Sequence, residues 1–162
     1  MHNTSYYIKR ARLASGAKFF PPGEAGFNRN GVQKGILIVE DDDDVRVFLA
    51  SVLTAEGYNV YEAECERQAL RIWKQNFFRI DLLLTDICIP FQTTGVELAK
   101  KLIREKTWLK VIYVTGFSAE IVANDGVTLV ENVNFFRKPY SYKKLLEILK
   151  KTFKESPKMS AN

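Results

Sequence analysis

Four short, mostly apolar runs in this sequence each lead into a polar side chain that could do chemistry. These side chains are Glu40 and Asp41 after ILIV, Asp86 after DLLLT, Thr115 at the end of VIYVT, and Lys138 shortly after NFF. Three carboxylates held side by side would repel one another and raise at least one pKa, so the group needs a cation. A hard divalent ion with oxygen ligands, Mg²⁺ above all, resolves that repulsion.

The same residues limit the chemistry that this group could perform. No glycine-rich phosphate loop follows ILIV, so acids stand where a nucleotide-binding fold would place backbone N–H groups. What remains is a carboxylate nucleophile beside a metal ion, with a lysine and a hydroxyl to hold a phosphoryl group.

From Gly35 onward, strand patterns alternate with helix patterns. Strands are predicted at 36–39, 58–62, 81–85, 111–115 and 134–136; helix patterns follow them, the first ending at Gly57 and the fourth a short one at 118–124. Five βα units predict an α/β fold with a parallel sheet and helices on both faces. The carboxyl ends of its strands meet at one edge, where ligands bind in such sheets.

Length and composition fit one globular domain, with 162 residues of which 46% are apolar. The longest purely apolar runs have four to five residues, against the ~18 of a membrane span. Two cysteines, Cys65 and Cys88, cannot make a disulfide framework, and no Cys/His cluster resembles a zinc site. No secretory signal is evident. We therefore expect a reduced, cytoplasmic protein without a membrane span.

The net charge of +5 lies entirely at the start of the chain. Residues 1–35 hold six basic residues and one acid, whereas residues 36–162 hold 18 of each sign. Prolines, glycines and asparagines interrupt this first segment. It is predicted to be a basic, mobile tail, the alternatives being a segment for an acidic partner or a membrane surface, or a transit peptide.

Four motifs carry a family resemblance. In this order and spacing, ILIVEDD, LLLTDICIP, VIYVTG and FFRKPY resemble the receiver domain of two-component response regulators, and GVELAKKLIRE is similar to the receivers of hybrid histidine kinases. The resemblance implies a receiver over 34–154, with tails at 1–33 and 155–162. It also implies a flavodoxin-like (βα)5 fold with a five-stranded parallel sheet in the order 2-1-3-4-5.

The resemblance assigns a role to each side chain at the strand ends. Asp86 corresponds to the aspartate that accepts a phosphoryl group, and Lys138 would pair with Asp86 before the reaction and with the phosphate after it. Thr115 would turn its hydroxyl to that phosphate. Phe135 occupies the switch-aromatic position and would fill the space that Thr115 leaves.

The resemblance also implies a Mg²⁺ site, which Mn²⁺ could occupy as well. Asp41 and Asp86 would bind the ion directly, together with the backbone carbonyl of Cys88. Glu40 would bind through a water; the family more often has aspartate there, and the longer side chain suits a water-mediated role. The Lys138–Pro139 bond is expected to be cis, as is usual in this family.

The function that follows is that of a phosphoacceptor in two-component signalling or a phosphorelay, which assists its own phosphorylation and dephosphorylation and is not a turnover enzyme. The expected partners are a histidine kinase or histidine phosphotransfer protein and an unidentified downstream protein, with no nucleic acid. The short helix at 118–124 favours a monomer. The alternatives are a pseudo-receiver that interacts without phosphorylation and a flavodoxin-like cofactor binder. A stand-alone receiver and a receiver of a hybrid kinase both remain open.

Three smaller predictions concern individual side chains. Cys88 and Phe117 stand two residues after Asp86 and Thr115, where neither orients water well, so self-dephosphorylation is expected to be slow. Asp43 and Asp44 are expected to cap the first helix. Trp73 and Trp108 are expected to pack in the core or at its edge.

Overall fold

The computed structural model describes residues 33–90, 93–116 and 128–154. The predicted helix at 118–124, Phe117 and most of both predicted tails lie outside these residues. The elements in chain order are β1 (Gly35–Val39), α1 (Asp43–Ala55), β2 (Asn59–Ala63), α2 (Glu66–Asn76), β3 (Leu82–Asp86), α3 (Gly95–Glu105), β4 (Lys110–Thr115), β5 (Phe135–Arg137) and α4 (Tyr142–Lys154).

The five strands form one parallel sheet in the order β2-β1-β3-β4-β5. This confirms the predicted fold class and strand order. Val39 of β1 lies opposite Thr85 of β3, and Asp86 lies opposite Val114 of β4. The strands therefore end almost level with one another, which brings the residues that follow them to a single edge.

Helices cover both faces of the sheet, and alternate strand residues supply the two cores. Leu37 and Val39 pack on one side with Trp73 of α2 and Leu102 of α3. Ile36 and Ile38 pack on the other side, with Leu53 of α1 and Leu149 of α4. All of these side chains are almost completely buried. Burial on both faces explains why the central strands are continuous apolar runs rather than alternating ones.

The ends of α1 differ slightly from the prediction. The cap is Asp42, whose carboxylate accepts a hydrogen bond from the Val45 amide at 3.1 Å, so the expected capping by Asp43 and Asp44 was wrong. These two residues lie in the first turn, where the helix dipole favours acids. The helix ends at Ala55, and the chain then turns at Gly57, whose φ of 91° suits glycine.

Three strands begin one residue later than predicted, and one tryptophan is placed differently. β3 begins at Leu82 because the carboxylate of Asp81 accepts a hydrogen bond from the Gly35 amide instead of continuing the apolar run. Trp73 is buried as expected, at 1% exposure, whereas Trp108 is 63% exposed in the loop before β4. Among the described residues, no helix is long and apolar enough to cross a bilayer.

Candidate functional site

The carboxyl edge of the sheet gathers the residues singled out in the sequence. Asp86 is the last residue of β3 and Thr115 the last of β4, while Glu40 directly follows β1 and Lys138 directly follows β5. The Lys138 amide donates to the Thr115 carbonyl at 2.7 Å, which extends the pairing of β4 with β5 to the lysine itself. Backbone pairing thus fixes where the Lys138 side chain begins.

The Lys138 ammonium lies between two carboxylates. Its Nζ is 2.7 Å from Oδ2 of Asp86, and 2.9 Å and 2.7 Å from Oε1 and Oε2 of Glu40. Burial alone would lower the pKa of Lys138, but the hydrogen bonds to Asp86 and Glu40 outweigh it and raise this pKa above its usual value. The lysine is therefore charged at any pH near neutrality.

The side chain of Glu40 is only 2% exposed, although the residue lies at the carboxyl edge of the sheet. Burial raises the pKa of Glu40, and hydrogen bonding to Lys138 only partly opposes this. The Glu40 carbonyl accepts a hydrogen bond from Arg46 of α1 at 2.8 Å. The side chain is thus held in a place where its negative charge is costly unless a cation lies beside it.

The two carboxylate oxygens of Asp86 have different hydrogen-bond partners. Oδ2 binds Lys138, while Oδ1 accepts the Cys88 amide at 2.9 Å as the chain turns around the carboxylate. The first residue of α3 lies against the same turn: a Cβ at Gly95 would fall 2.0 Å from the Asp86 carbonyl oxygen. A glycine is required at that point for helix and strand end to meet.

Thr115 and Phe135 are both buried, at 0% and 3% exposure. Phe135 packs in the same core as α2 and α3. The Thr115 hydroxyl hydrogen-bonds to the Cys88 side chain. Cys88 is exposed, yet partial desolvation of its sulfur and, secondarily, the negative charge of Asp86 raise the pKa of its thiol, so that it is protonated at neutral pH.

The acidic residues fit a divalent cation. Carboxylate oxygens of Glu40, Asp41 and Asp86 all lie within 4.8 Å of one another, with Asp41 exposed and the other two buried. Carboxylates in this number are the oxygen donors that Mg²⁺ prefers, with water completing the coordination. A cation here would also offset the burial that raises the pKa of Glu40.

A groove of about 440 Å³ opens beside the site on the α1 and α4 side. Lys138 and Pro139 form one wall, while Phe48 of α1 and Tyr142 of α4 form the other part of its lining. The rings of Phe48 and Tyr142 meet edge to face at 5.9 Å and are 49% and 43% exposed. An apolar, solvent-facing surface thus borders the lysine.

The structure adds partners that the sequence did not reveal. Glu40 was expected only as a water-mediated ligand, but both of its oxygens bind Lys138. Its extra methylene relative to aspartate is the one signal that could have suggested this reach. No motif in the sequence indicates the contacts that Arg46 and Gly95 make. The Lys138–Pro139 bond is cis, as expected.

Strand order, helix placement and the acid–lysine cluster at the carboxyl edge are together those of a receiver domain. Comparison with known families agrees: the sequence model of the response regulator receiver domain matches residues 36–150. The chain belongs to this family of two-component signalling proteins.

Two curated relatives are similar to this chain over about seven tenths of its length. It is 32% identical over 118 residues to the response regulator receiver protein CpdR of Brucella abortus, covering 73% of this chain and 95% of CpdR. It is 30% identical over 115 residues to the sensor kinase CckA of the same organism, covering 71% of this chain but only 12% of the kinase.

A solved structure gives the same grouping. The crystal structure of the receiver domain from the hybrid histidine kinase CckA is 36% identical, with a TM-score of 0.59, and the match covers 73% of this chain and 97% of that domain. The chain is thus similar to the receivers of hybrid kinases, as the sequence motifs implied.

Proposed function

We propose that Asp86 accepts a phosphoryl group from a phosphohistidine of a kinase or phosphotransfer protein, and that its phosphorylation changes a surface read by a downstream protein. The observation that carries this proposal is the placement of Asp86 at 7% exposure, with Lys138 Nζ 2.7 Å from one of its oxygens and two further carboxylates close by. Membership in the receiver family supports it.

The residues divide the chemistry between them. A carboxylate oxygen of Asp86 forms the new O–P bond, and the P–N bond of the donor breaks with its electron pair returning to the imidazole. Lys138 is positively charged, and its ammonium can exchange its contact with Asp86 for one with a phosphoryl oxygen without a proton transfer. Positioning and charge account for most of such a reaction.

Asp41, Asp86 and the backbone carbonyl of Cys88 would hold Mg²⁺ or Mn²⁺, with Glu40 acting through a water. The bound ion supplies further positive charge for the phosphoryl oxygens. Since Glu40 binds Lys138 through both of its oxygens, the same lysine links the proposed metal ligands to the acceptor.

The change in surface would start at Thr115. Its hydroxyl hydrogen-bonds to the Cys88 side chain beside Asp86, and a phosphoryl group on Asp86 would offer a stronger acceptor close by. Phe135 of β5 pairs with Tyr113, two residues before Thr115 on β4. It would then move into the space that the threonine vacates. This is a local charge event acting on a two-state element.

Incubation with acetyl phosphate and Mg²⁺, followed by intact mass measurement, tests the proposal. The expected result is a single phosphoryl addition that disappears in Asp86→Asn and in EDTA. Asp44→Asn, an exposed acid in the first turn of α1, is the matched control and keeps the addition. No addition to a folded parent chain would instead support the pseudo-receiver alternative.

The donor protein is proposed to cover the groove beside Lys138. A histidine that reaches Asp86 must approach past this apolar surface, and Phe48 and Tyr142 offer it exposed rings. Phe48→Ala should therefore slow phosphorylation by a phosphorylated histidine phosphotransfer domain while leaving the rate with acetyl phosphate unchanged. Equal slowing with both donors would mean that Phe48 affects the reaction itself or the stability of the fold, and would contradict donor docking.

A further inference from the structure

A second group of exposed aromatic residues lies at the opposite end of the sheet, where the strands begin. Phe78, in the loop before β3, is 89% exposed, and Trp108, in the loop before β4, is 63% exposed. β3 and β4 are neighbours, with Leu82 opposite Lys110, so these loops lie side by side. Two large apolar side chains exposed together are uncommon on a surface that contacts only water.

One buried lysine joins these rings into a single cluster. The Nζ of Lys106 is 5.5 Å from the ring centre of Phe77 and 5.9 Å from that of Trp108, and Phe77 meets Phe78 edge to face at 5.1 Å. We call Phe77, Phe78, Lys106 and Trp108 the basal aromatic cluster. The charge of Lys106 is used internally, because its Nζ donates to the carbonyls of Phe77 and Ile80 at 3.0 Å and 2.7 Å.

The cluster is anchored in the fold. Phe77 packs against Trp73 at 5.2 Å, and Trp73 is 1% exposed with its indole N–H bound to Glu105 at 2.7 Å. Lys106 is itself only 3% exposed. The exposed rings of Phe78 and Trp108 therefore lie against residues that the fold holds in place.

The surroundings of the cluster are basic. Residues 74–82 and 104–110 hold five basic and two acidic residues. Both acids already have partners in the fold, since Asp81 accepts from the Gly35 amide and Glu105 from Trp73. Lys74, Arg79 and Arg104 are exposed. The chemical character of this end is therefore an aromatic centre with a positive border.

The strongly basic start of the chain enters the fold at the same place. Gly35 lies directly against the loop before β3, where a Cβ would fall 1.8 Å from the Arg79 carbonyl oxygen. The segment that precedes it, residues 1–34, holds six basic residues and one acid. The charge of that segment is a property of the sequence and is not counted in the positive border, which consists of Lys74, Arg79 and Arg104.

We propose that the basal aromatic cluster, with its basic border, docks this chain onto an anionic lipid surface. Aromatic side chains that enter the interface while Lys and Arg contact acidic headgroups are the composition of peripheral membrane-binding surfaces. Docked in this way, the acidic edge with Asp86 faces away from the lipid and stays open to a phosphoryl donor. The proposal does not depend on phosphorylation of Asp86.

The full-length chain is tested by cosedimentation with vesicles of phosphatidylglycerol mixed with phosphatidylcholine, and with phosphatidylcholine alone. Binding is expected only to the anionic vesicles, and it should weaken as salt is added. The double substitution Phe78→Ser with Trp108→Ser should raise the lipid concentration for half-binding about tenfold or more. Phe48→Ser, an exposed ring on α1, is the matched control and should bind as the parent does.

Tryptophan emission gives a second readout, because the chain has only Trp73 and Trp108 and the first of these is buried. Anionic vesicles should shift the emission of the parent to the blue, and Trp108→Phe should remove the shift while retaining most of the binding. Charge reversal by Lys74→Glu with Arg79→Glu should weaken both binding and its dependence on salt.

Several outcomes would overturn the proposal. Equal binding by the parent and the Phe78/Trp108 variant would assign the affinity to basic residues alone and exclude a role for the exposed rings. Equal binding to neutral and anionic vesicles, or none, would exclude an anionic lipid surface. Self-association lost in the same variant, or tight binding to a single-stranded oligonucleotide instead of vesicles, would assign the cluster to a second copy or to nucleic acid.

Discussion

Lys138 is the residue on which the acidic edge depends, because it satisfies two buried carboxylates at once. Glu40 and Asp86 are 2% and 7% exposed, and two buried carboxylates so close together could not both be ionised without a nearby cation. The ammonium therefore stabilises the site, and in the proposed function it would also contact an incoming phosphoryl group.

The raised pKa of Glu40 predicts how stability varies with pH. A carboxyl whose pKa is higher in the folded state than in the unfolded state lowers the free energy of unfolding as pH rises from about 4.5 through the raised pKa. In EDTA, the free energy of unfolding of the parent minus that of Glu40→Gln should therefore decrease between pH 4.5 and pH 7. Urea unfolding of both chains measures this, and a difference that grows with pH would contradict the assignment.

The Cys88 side chain predicts the lifetime of the phosphorylated form. Its thiol has a raised pKa and is hydrogen-bonded to Thr115, so it is poorly suited to orient an attacking water. Cys88→Asn, which adds an amide at that position, should shorten the lifetime several-fold in Mg²⁺ buffer, as followed by intact mass over time.

The matched control for that measurement is Cys65→Ala, since Cys65 is a buried cysteine that precedes α2 and is not among the residues of the proposed site. Its lifetime should equal that of the parent. A phosphorylated parent that decays within seconds would contradict slow self-dephosphorylation.

The positions of the site residues could be predicted from the sequence, but most of their side-chain contacts could not. Each of Asp86, Thr115 and Lys138 ends or follows an apolar run, and parallel strands bring such positions to one edge. The hydrogen bond from Arg46 to the Glu40 carbonyl and the double contact of Glu40 with Lys138 depend on side-chain reach across separate elements. No spacing in the sequence encodes that reach.

Among the secondary-structure elements, the first turn of α3 lies directly against the end of β3. The Gly95 amide donates to the Ile87 carbonyl at 2.9 Å, and Thr94 caps the helix with a reciprocal bond to Glu97. Cap and glycine together hold the first turn of α3 against the turn that carries the Asp86 carboxylate.

Gly95→Ala should therefore destabilise the protein and slow phosphorylation. Its Cβ would lie 2.0 Å from the Asp86 carbonyl oxygen and 2.7 Å from the Thr85 hydroxyl, so either the helix or the strand end must shift. Such overpacking costs about 1–3 kcal/mol in the free energy of unfolding. Urea unfolding and the acetyl phosphate reaction check both effects.

Gly116→Ala is the control for this prediction because nothing lies within 4 Å of a Cβ at Gly116. Its free energy of unfolding should stay within about 0.5 kcal/mol of the parent. Equal losses in the two variants would mean that the close approach at Gly95 does not determine the geometry of the site.

Within the described residues, the alternation of elements was predicted correctly because apolar runs and helical spacing are local signals. The residues at which strands begin were predicted less accurately, and the reason is physical. Asp81 and Tyr58 extend the strand pattern of the sequence, yet Asp81 binds the Gly35 amide and Tyr58 lies before β2, packed on Phe153 of α4. Tertiary contacts, not local preference, decide where a strand begins.

At the scale of the whole molecule, charge is divided between the two ends of the sheet. The acidic run 40–44 follows β1 at the carboxyl edge, and the basic border of the basal aromatic cluster lies where the strands begin. The overall pI of about 9.2 therefore describes neither end. A cation at the proposed site should stabilise the entire domain, since only the folded chain brings Glu40, Asp41 and Asp86 together.

Mg²⁺ should accordingly raise the melting temperature of the parent chain. A ligand at 100 times its dissociation constant adds about 2.7 kcal/mol to the free energy of unfolding when it binds the folded state alone. Asp41→Asn should lose most of this stabilisation, whereas Asp44→Asn should keep it. The same response to Mg²⁺ in Asp41→Asn would place the ion elsewhere.

The most direct test of the central claim is to locate the phosphoryl group chemically. After reaction with acetyl phosphate and Mg²⁺, borohydride reduces an aspartyl phosphate to homoserine, which peptide mass spectrometry locates in the sequence. Homoserine is expected at position 86 in the parent, and none is expected in the Asp86→Asn chain. Homoserine at another acidic position such as 41, or no conversion in a folded chain that binds Mg²⁺, would contradict the central claim.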